Sequence, residues 1–160
     1  MKNRTLVVNA LIAALYIAVS MLVQPLAFSN IQFRIPEMFN HLIVFNKKYF
    51  FGIVIGVFIT NIFSPLGMLD LVFGVAQSAI SLLIVILLAK YIRNVWVLLI
   101  ANTFVFTFTM FIIAYELNLA FKIPFLFAWV TSAAGEFTVM AIGIPIIYAL
   151  NKRLHFNKLL

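Results

Sequence analysis

Residues 69–90 read LDLVFGVAQSAISLLIVILLAK, and the stretch between Asp70 and Lys90 carries no charged side chain. An apolar run of this length exceeds a membrane β-strand and matches a helix that crosses the hydrocarbon core. Because the core contains no water, backbone amides there must be paired within a helix or a closed barrel. The stretch therefore predicts a transmembrane helix.

The composition of the whole chain extends this prediction. Of the 160 residues, 66% are hydrophobic and 9% are charged, which is too little polar surface to cover a water-soluble globule. At roughly 20 residues per span, the chain has room for about five or six crossings and no soluble domain. We therefore expect one all-α integral membrane domain over residues 1–160. Cysteine is absent, which excludes disulfides.

Polar interruptions divide the chain into six predicted transmembrane helices. The first follows two cations like a signal peptide, but it lacks a convincing cleavage site and is interpreted as a retained span. Pro36 suits a helical first turn, where its missing amide donor is not needed. The predicted helices cover about residues 5–26, 36 to the lysine pair at 47 and 48, 49–63, 69–90, 95–115, and from beyond Pro124 to 150. Because the second and third are short, the count of six depends on a real loop at Lys47-Lys48.

The distribution of cations predicts the orientation. With the N-terminus in the cytoplasm, only Arg34 and Lys122 of the eleven lysines and arginines lie outside. Cytoplasmic loops of membrane proteins are rich in lysine and arginine, so both termini are predicted to be cytoplasmic. The same rule explains the net charge of +7 without a nucleic-acid partner.

A polar segment is predicted at the outer mouth of the bundle. Residues 31–37, IQFRIPE, bring together an amide, the cation Arg34 and the anion Glu37. One interpretation is a loop held by an ion pair between Arg34 and Glu37. An exposed pair of this kind contributes only about 0 to 1 kcal/mol, so stability is a weak reason for it. The alternative is that these side chains contact a ligand.

Glu136 is the sharpest candidate for a ligand contact. At about 1.5 Å per residue from Pro124, it is predicted roughly 18 Å into the membrane. Ionisable groups at that depth are costly and usually face a cavity or a polar network. Trp129, seven residues earlier, is predicted on the same helix face. An indole and a carboxylate suit a flat ligand that donates hydrogen bonds. The alternative is that a neighbouring Asn, Thr or Tyr satisfies Glu136.

Four further polar residues have more ambiguous roles. Asn61 and Asp70 flank a Pro-Gly turn and are predicted to close the same site, although capping of helix ends explains them nearly as well. Asn102 is predicted to make an interhelical hydrogen bond. His41 has no second ligand at metal spacing, so no metal site is predicted.

Small residues recur along the first predicted helix. Ala10, Ala14 and Ala18 form a strip that lets another helix approach closely. The strip fits either packing within the bundle or docking of a partner. The chain carries no phosphate-binding loop, no nucleophile paired with a base and no metal constellation. It is therefore not expected to be an enzyme, to hold a cofactor or to hydrolyse ATP, and any active transport must draw energy from a partner.

In its motifs the chain resembles the QueT family of proposed queuosine-precursor transporters, which are S components of energy-coupling factor (ECF) transporters. The resemblance runs over essentially the whole chain. It is carried by Ile31-Gln32-Phe33-Arg34 with Glu37, by Gly52, Gly56 and Asn61, by Gly67, Asp70 and Phe73-Gly74, by Ala101-Asn102, and by Gly135-Glu136.

This resemblance implies a six-helix S component in the bacterial cell membrane, with an outward-facing pocket under the loop between its first two helices. The implied substrate is a 7-deazaguanine such as preQ1, preQ0 or queuine. The alanine strip is then expected to dock on a membrane coupling (T) subunit that carries two cytoplasmic ATPases, and the loaded component to topple and deliver its cargo. An S component for another vitamin or heterocycle, and a non-transporting scaffold protein, are the alternatives.

Overall fold

A computed structural model describes residues 3–23 and 33–160, and every regular element in those ranges is helical. The predicted end of the first helix, at residues 24–26, and Gln32 lie outside the described residues. The α-helices are α1 (Asn3–Leu22), α2 (Leu42–Phe45), α3 (Phe50–Ile62), α4 (Met68–Leu88), α5 (Val95–Thr109), α6 (Phe111–Phe121), α7 (Phe125–Leu154) and α8 (Phe156–Leu159). The predicted all-α class is confirmed.

Four stretches of the described chain are long and apolar enough to cross a bilayer. They are Asn3–Leu22, Met68–Leu88, Val95–Phe121 and Phe125–Leu154. Their length and composition indicate an all-α protein that crosses the membrane several times. Six crossings and cytoplasmic termini stay predictions, because the segments between the first two of these spans are individually short.

The second predicted helix is a compact, mostly 3₁₀ segment. Ile35–His41 forms a 3₁₀ helix with Pro36 in its first turn, and the four residues of α2 follow it. Asn46 is extended and accepts a hydrogen bond from the Lys48 amide, which ends this segment before α3. The break therefore lies at Asn46, one residue before the predicted position, and the two lysines begin a short 3₁₀ turn, Lys47–Tyr49, that leads into α3.

Two glycines of α3 allow it to lie directly against α1. A Cβ atom on Gly52 would be 2.7 Å from Oδ1 of Asn9, and one on Gly56 would be 2.8 Å from Cβ of Tyr16. The Gly52 amide donates to Asn9 Oδ1 at 2.8 Å. Because both positions increase together along the two helices, α1 and α3 run parallel. The chain from Ile35 must therefore return across the bundle between them.

The predicted end of the fifth helix was wrong. Helix continues to Phe121 instead of Tyr115, with a break at Met110 between α5 and α6. No proline or glycine lies between these positions to stop the helix. At the break, the Thr109 hydroxyl donates to the Phe106 carbonyl at 3.0 Å, a side-chain bond that competes with regular helix pairing. The extension carries Glu116 into the bundle.

Basic loops from distant parts of the sequence meet at one end of the bundle. Lys47 and Lys90 line a common cleft, and the Tyr49 hydroxyl donates to the Phe156 carbonyl at 2.9 Å. Apart from Arg34, the lysines and arginines of the described ranges are all exposed: Arg4, Lys47, Lys48, Lys90, Arg93, Lys122, Lys152, Arg153 and Lys158. Arg34 is thus the buried cation of the described chain.

Candidate functional site

The four acidic residues of the chain all lie around the guanidinium group of Arg34. Glu37, Asp70 and Glu116 interact with it electrostatically, and so does Glu136. Each of the four carboxyl groups is at most 1% exposed. We call these five residues the acid cluster. Its formation concentrates every carboxyl group of an apolar protein in one place.

Four separate parts of the chain build the acid cluster. Arg34 precedes the 3₁₀ helix, and Glu37 lies in the first turn of that helix. Asp70 lies in the first turn of α4, Glu116 in α6 and Glu136 in α7. Because these elements are far apart in sequence, the tertiary fold and not one local motif creates the site.

Arg34 forms its described ion pair with Asp70. The guanidinium donates to Oδ1 of Asp70 at 3.2 Å, and the Ser64 hydroxyl donates to the other oxygen. The Asn61 amide donates to the Asp70 carbonyl at 2.9 Å. Asp70 therefore does not act as a helix cap, which was the alternative explanation, and Asn61 and Ser64 hold it toward the arginine.

Gly74 makes room for this arrangement. A Cβ atom at this position would be 2.4 Å from Nδ2 of Asn61 and 3.6 Å from a terminal nitrogen of Arg34. A side chain there would push the Asn61 amide away from Asp70. The lack of a side chain at Gly74 thus leaves room for the Asn61 amide beside Asp70.

Glu37 is held by partners other than Arg34. The Tyr16 hydroxyl donates to one carboxyl oxygen at 2.8 Å, and the Asn40 side-chain amide donates to the other. The predicted loop held by an ion pair between Arg34 and Glu37 was wrong in its pairing, since the arginine pairs with Asp70. Glu37 still lies within electrostatic range of the arginine.

Glu136 and Glu116 are the open members of the acid cluster. Among the described residues, no N–H or hydroxyl group donates to either oxygen of either side chain, although the carboxyl group of Glu116 lies at hydrogen-bond distance from that of Asp70. Glu136 lies in electrostatic range of Glu37 and Arg34, and Glu116 lies beside Asp70. The alternative in which a neighbouring Asn, Thr or Tyr satisfies Glu136 therefore fails for the described chain. Buried polar groups are normally hydrogen-bonded, so open carboxyl groups need an explanation.

Glu116, Tyr16, Asn40 and Ser64 were missed by sequence reasoning. Ending the fifth helix at Tyr115 placed Glu116 in an outer loop. The usable signal was an acid inside an apolar stretch that contains no helix breaker, which is the same signal that drew attention to Glu136. Nothing local distinguishes the other three residues, because their role depends on which acid they meet in the fold.

Comparison with known proteins places this chain. The QueT transporter family matches residues 6–152. The chain belongs to the QueT transporter family. A curated relative, the queuosine precursor transporter QueT of Lactococcus lactis subsp. cremoris (strain MG1363), is 32% identical over 166 aligned positions that cover 98% of each chain. No solved structure matches the chain significantly.

Family membership makes the chain a membrane transporter and not an enzyme. The four long apolar helices agree with a multi-pass membrane location. For a transporter, a buried cluster with open carboxyl groups is a natural candidate for the place where substrate binds.

Trp129 lies in different surroundings from the acid cluster. Its ring packs against three phenylalanines, Phe108, Phe111 and Phe125. Its indole N–H donates to the Phe108 carbonyl at 3.2 Å, next to the helix break. None of its described contacts reaches Glu136, so the structure does not bring the predicted indole and carboxylate pair together. The indole instead satisfies a carbonyl beside the break between α5 and α6.

The alanine strip of α1 faces outward. Ala10, Ala14 and Ala18 are all exposed, while the opposite side of α1 contacts α3 through Asn9 and Tyr16. Packing within the described bundle therefore does not explain the strip. It remains available to a partner helix.

Asn102 and His41 belong to a separate polar contact. The Asn102 amide donates to the Asn40 carbonyl at 3.3 Å and lies 3.0 Å from Nδ1 of His41. The other ring nitrogen of His41 is 2.9 Å from the Met140 carbonyl. The predicted interhelical bond of Asn102 is confirmed, and both residues join the 3₁₀ segment to the bundle.

Proposed function

We propose that this chain is the substrate-binding S component of an ECF-type ABC transporter. It captures a queuosine precursor, a 7-deazaguanine such as preQ1, preQ0 or queuine, from outside the cell for ATP-driven import by partner subunits. The observation that carries the proposal is Glu136, whose carboxyl group is buried in an acid cluster without a described hydrogen-bond donor. The name of the Lactococcus lactis relative supports the substrate.

The chemistry of a 7-deazaguanine suits an open carboxyl group. Its ring offers an N–H and an exocyclic amine side by side, and one carboxylate can accept both as a paired hydrogen bond. Neither oxygen of Glu136 has a hydrogen-bond donor among the described residues, so both are available for this contact. Arg34, Glu37 and Asp70 set the charge around it, while Asn61 positions Asp70.

Trp129 lies outside the site in this proposal. A stacking role would require its ring to leave the phenylalanines that surround it and its N–H to leave the Phe108 carbonyl. Stacking of Trp129 on the substrate therefore requires a rearrangement of its side chain, whereas substrate contact with Glu136 does not.

The basic end of the bundle supports a cytoplasmic location for the chain ends. Lys47, Lys90 and the region of Phe156 meet there, and cytoplasmic loops carry most cations in membrane proteins. In this orientation Lys122 lies outside, and the acid cluster receives substrate from the outer side. The proposed topology has both ends inside and six crossings.

The glutamate itself gives the direct test of binding. Purified protein in lipid nanodiscs should bind preQ1, and Glu136→Gln should weaken binding about 10- to 100-fold, because loss of a charge-assisted hydrogen bond commonly removes this much affinity. Isothermal titration calorimetry measures both values. Thr138→Val, on the exposed side of the same helix, serves as the matched control and should bind normally.

Equal affinities of wild type and Glu136→Gln would remove Glu136 from the site. A panel of other vitamins and heterocycles tests the nearest rival, and tighter binding of one of these would reassign the substrate. A scaffold protein would bind none of them. The open carboxyl groups argue against a scaffold, whose buried polar side chains would satisfy one another.

The exposed alanine strip supports docking on a coupling subunit with two ATPases, since this chain has no ATP-binding motif of its own. Ala14→Leu should obstruct close helix approach and reduce recovery of the assembled complex while leaving substrate affinity unchanged. Ala134→Leu, an exposed alanine of α7, is the matched control. Affinity purification of the coupling subunit with each variant measures the effect, and full recovery with Ala14→Leu would contradict it.

A further inference from the structure

The acid cluster has more carboxyl groups than cations to balance them. It contains four carboxyl groups and one guanidinium, and the remaining lysines and arginines of the described chain are exposed. Two of the four acids have partners. Asp70 takes Arg34 and Ser64, and Glu37 takes Tyr16 and Asn40.

The other two acids are both open. Glu136 is 1% exposed and Glu116 is 0% exposed, and no N–H or hydroxyl group of the described chain donates to either. The hydrogen-bonding neighbour of Glu116 is itself an acid, Asp70. The planar edge of one ring donates its paired hydrogen bonds to a single carboxyl group. The second is then left without donors, which is costly for a buried polar group.

We propose that the site selects substrates that carry a protonated amine in addition to the flat ring edge, and that Glu116 receives this amine. This inference rests on the proposed function. It divides the candidate substrates by chemistry: a 7-deazaguanine with an aminomethyl group carries the ammonium, whereas one with a nitrile group is neutral.

The surroundings of the two open acids support this division of roles. An ammonium group has three N–H donors that point in different directions and needs several acceptors. Glu116 lies beside Asp70, so two carboxyl groups face one region there. Among the described residues, Glu136 has no carboxyl group at hydrogen-bond distance and interacts with Glu37 only at longer electrostatic range. A single open carboxyl group at Glu136 suits a planar edge, and the pair at Glu116 suits the cation.

Two probes with the same ring test the inference: preQ1, which has the aminomethyl group, and preQ0, which has the nitrile. Wild type should bind preQ1 at least about tenfold more tightly than preQ0, the effect of one additional charge-assisted contact. Glu116→Gln should abolish this preference by weakening preQ1 while leaving preQ0 unchanged. Glu136→Gln should weaken both probes, and calorimetry in nanodiscs measures all affinities.

Two variants separate loss of charge from loss of fold. Glu116→Asp keeps the carboxylate and should retain a preference for preQ1. Tyr115→Phe changes the exposed neighbouring residue and should bind both probes as wild type does. Equal affinity of wild type for the two probes, or equal weakening of both by Glu116→Gln, would overturn the inference and leave the proposed function standing. Binding of neither probe by wild type would overturn the proposed function itself.

Discussion

Two buried polar clusters of this protein differ in whether all of their side chains have hydrogen-bond partners. The first is the acid cluster, in which Glu116 and Glu136 have no described donors. The second, which we call the hydroxyl cluster, joins α4 to α5 through Gln77, Ser78, Ser81 and Thr109. Gln77 donates to the Thr109 hydroxyl at 3.1 Å, and the hydroxyl groups of Ser81 and Thr109 are 2.7 Å apart.

The comparison separates polar residues that stabilise the bundle from those available to a substrate. Each side chain of the hydroxyl cluster has a hydrogen-bond partner: Ser78 donates to Gln77, and Thr109 donates to a backbone carbonyl. The hydroxyl cluster is also neutral, so it requires no charge or hydrogen-bond partner from a substrate. The acid cluster combines charge, burial and missing donors, which together indicate a binding site.

Removal of the central cation should have the largest effect on the acid cluster. Arg34→Met leaves Asp70 as an uncompensated buried charge and should lower the free energy of unfolding by about 3 to 5 kcal/mol. The double variant Arg34→Met with Asp70→Asn should recover much of this loss without recovering preQ1 binding. Unfolding in detergent, followed by circular dichroism, gives the stabilities. Equal stability of Arg34→Met and wild type would contradict the pairing seen here.

A methyl group at Gly74 should have an intermediate effect. Gly74→Ala forces the Asn61 amide away from the Asp70 carbonyl and should reduce stability by about 1 to 3 kcal/mol. In an Asn61→Ala background the amide is gone, so the same change should be nearly neutral. This double-mutant cycle measures the steric coupling directly. Additive effects would show that the two positions do not interact.

A change in the hydroxyl cluster should have the smallest effect. Thr109→Val removes the hydroxyl that Gln77 and Ser81 contact, and a single polar contact between membrane helices contributes on average about 0.6 kcal/mol. Stability should therefore fall slightly while preQ1 affinity is unchanged. A marked loss of affinity, measured in nanodiscs as for the other variants, would break the proposed distinction between the two clusters.

Apolar stretches were enough to predict the helical class and most helix positions, because burial in lipid demands them. The sequence also identified Arg34, Glu37, Asp70 and Glu136 as unusual, since charge is scarce in this chain. It did not identify Glu116, because the fifth helix was predicted to end at Tyr115 although no helix breaker lies between there and Phe121.

The sequence also could not predict which side chains pair with one another in the folded protein. Arg34 and Glu37 are close in sequence, yet Arg34 pairs with Asp70 because the start of α4 is brought beside it. Trp129 and Glu136 share a helix at a spacing of nearly two turns, but the break at Met110 gives the indole a different partner. Helical spacing alone predicts neighbours on one helix and says nothing of what the other helices present.

Mass spectrometry of the small molecules that copurify with the protein tests the central claim most directly. Wild type and Glu136→Gln would be purified in parallel from cells supplied with preQ1, with Thr138→Val as the control. We expect a 7-deazaguanine bound to wild type and to the control, and little or none bound to Glu136→Gln. An equal amount in all three preparations, or none in wild type, would contradict a site in which this buried carboxyl group grips the substrate.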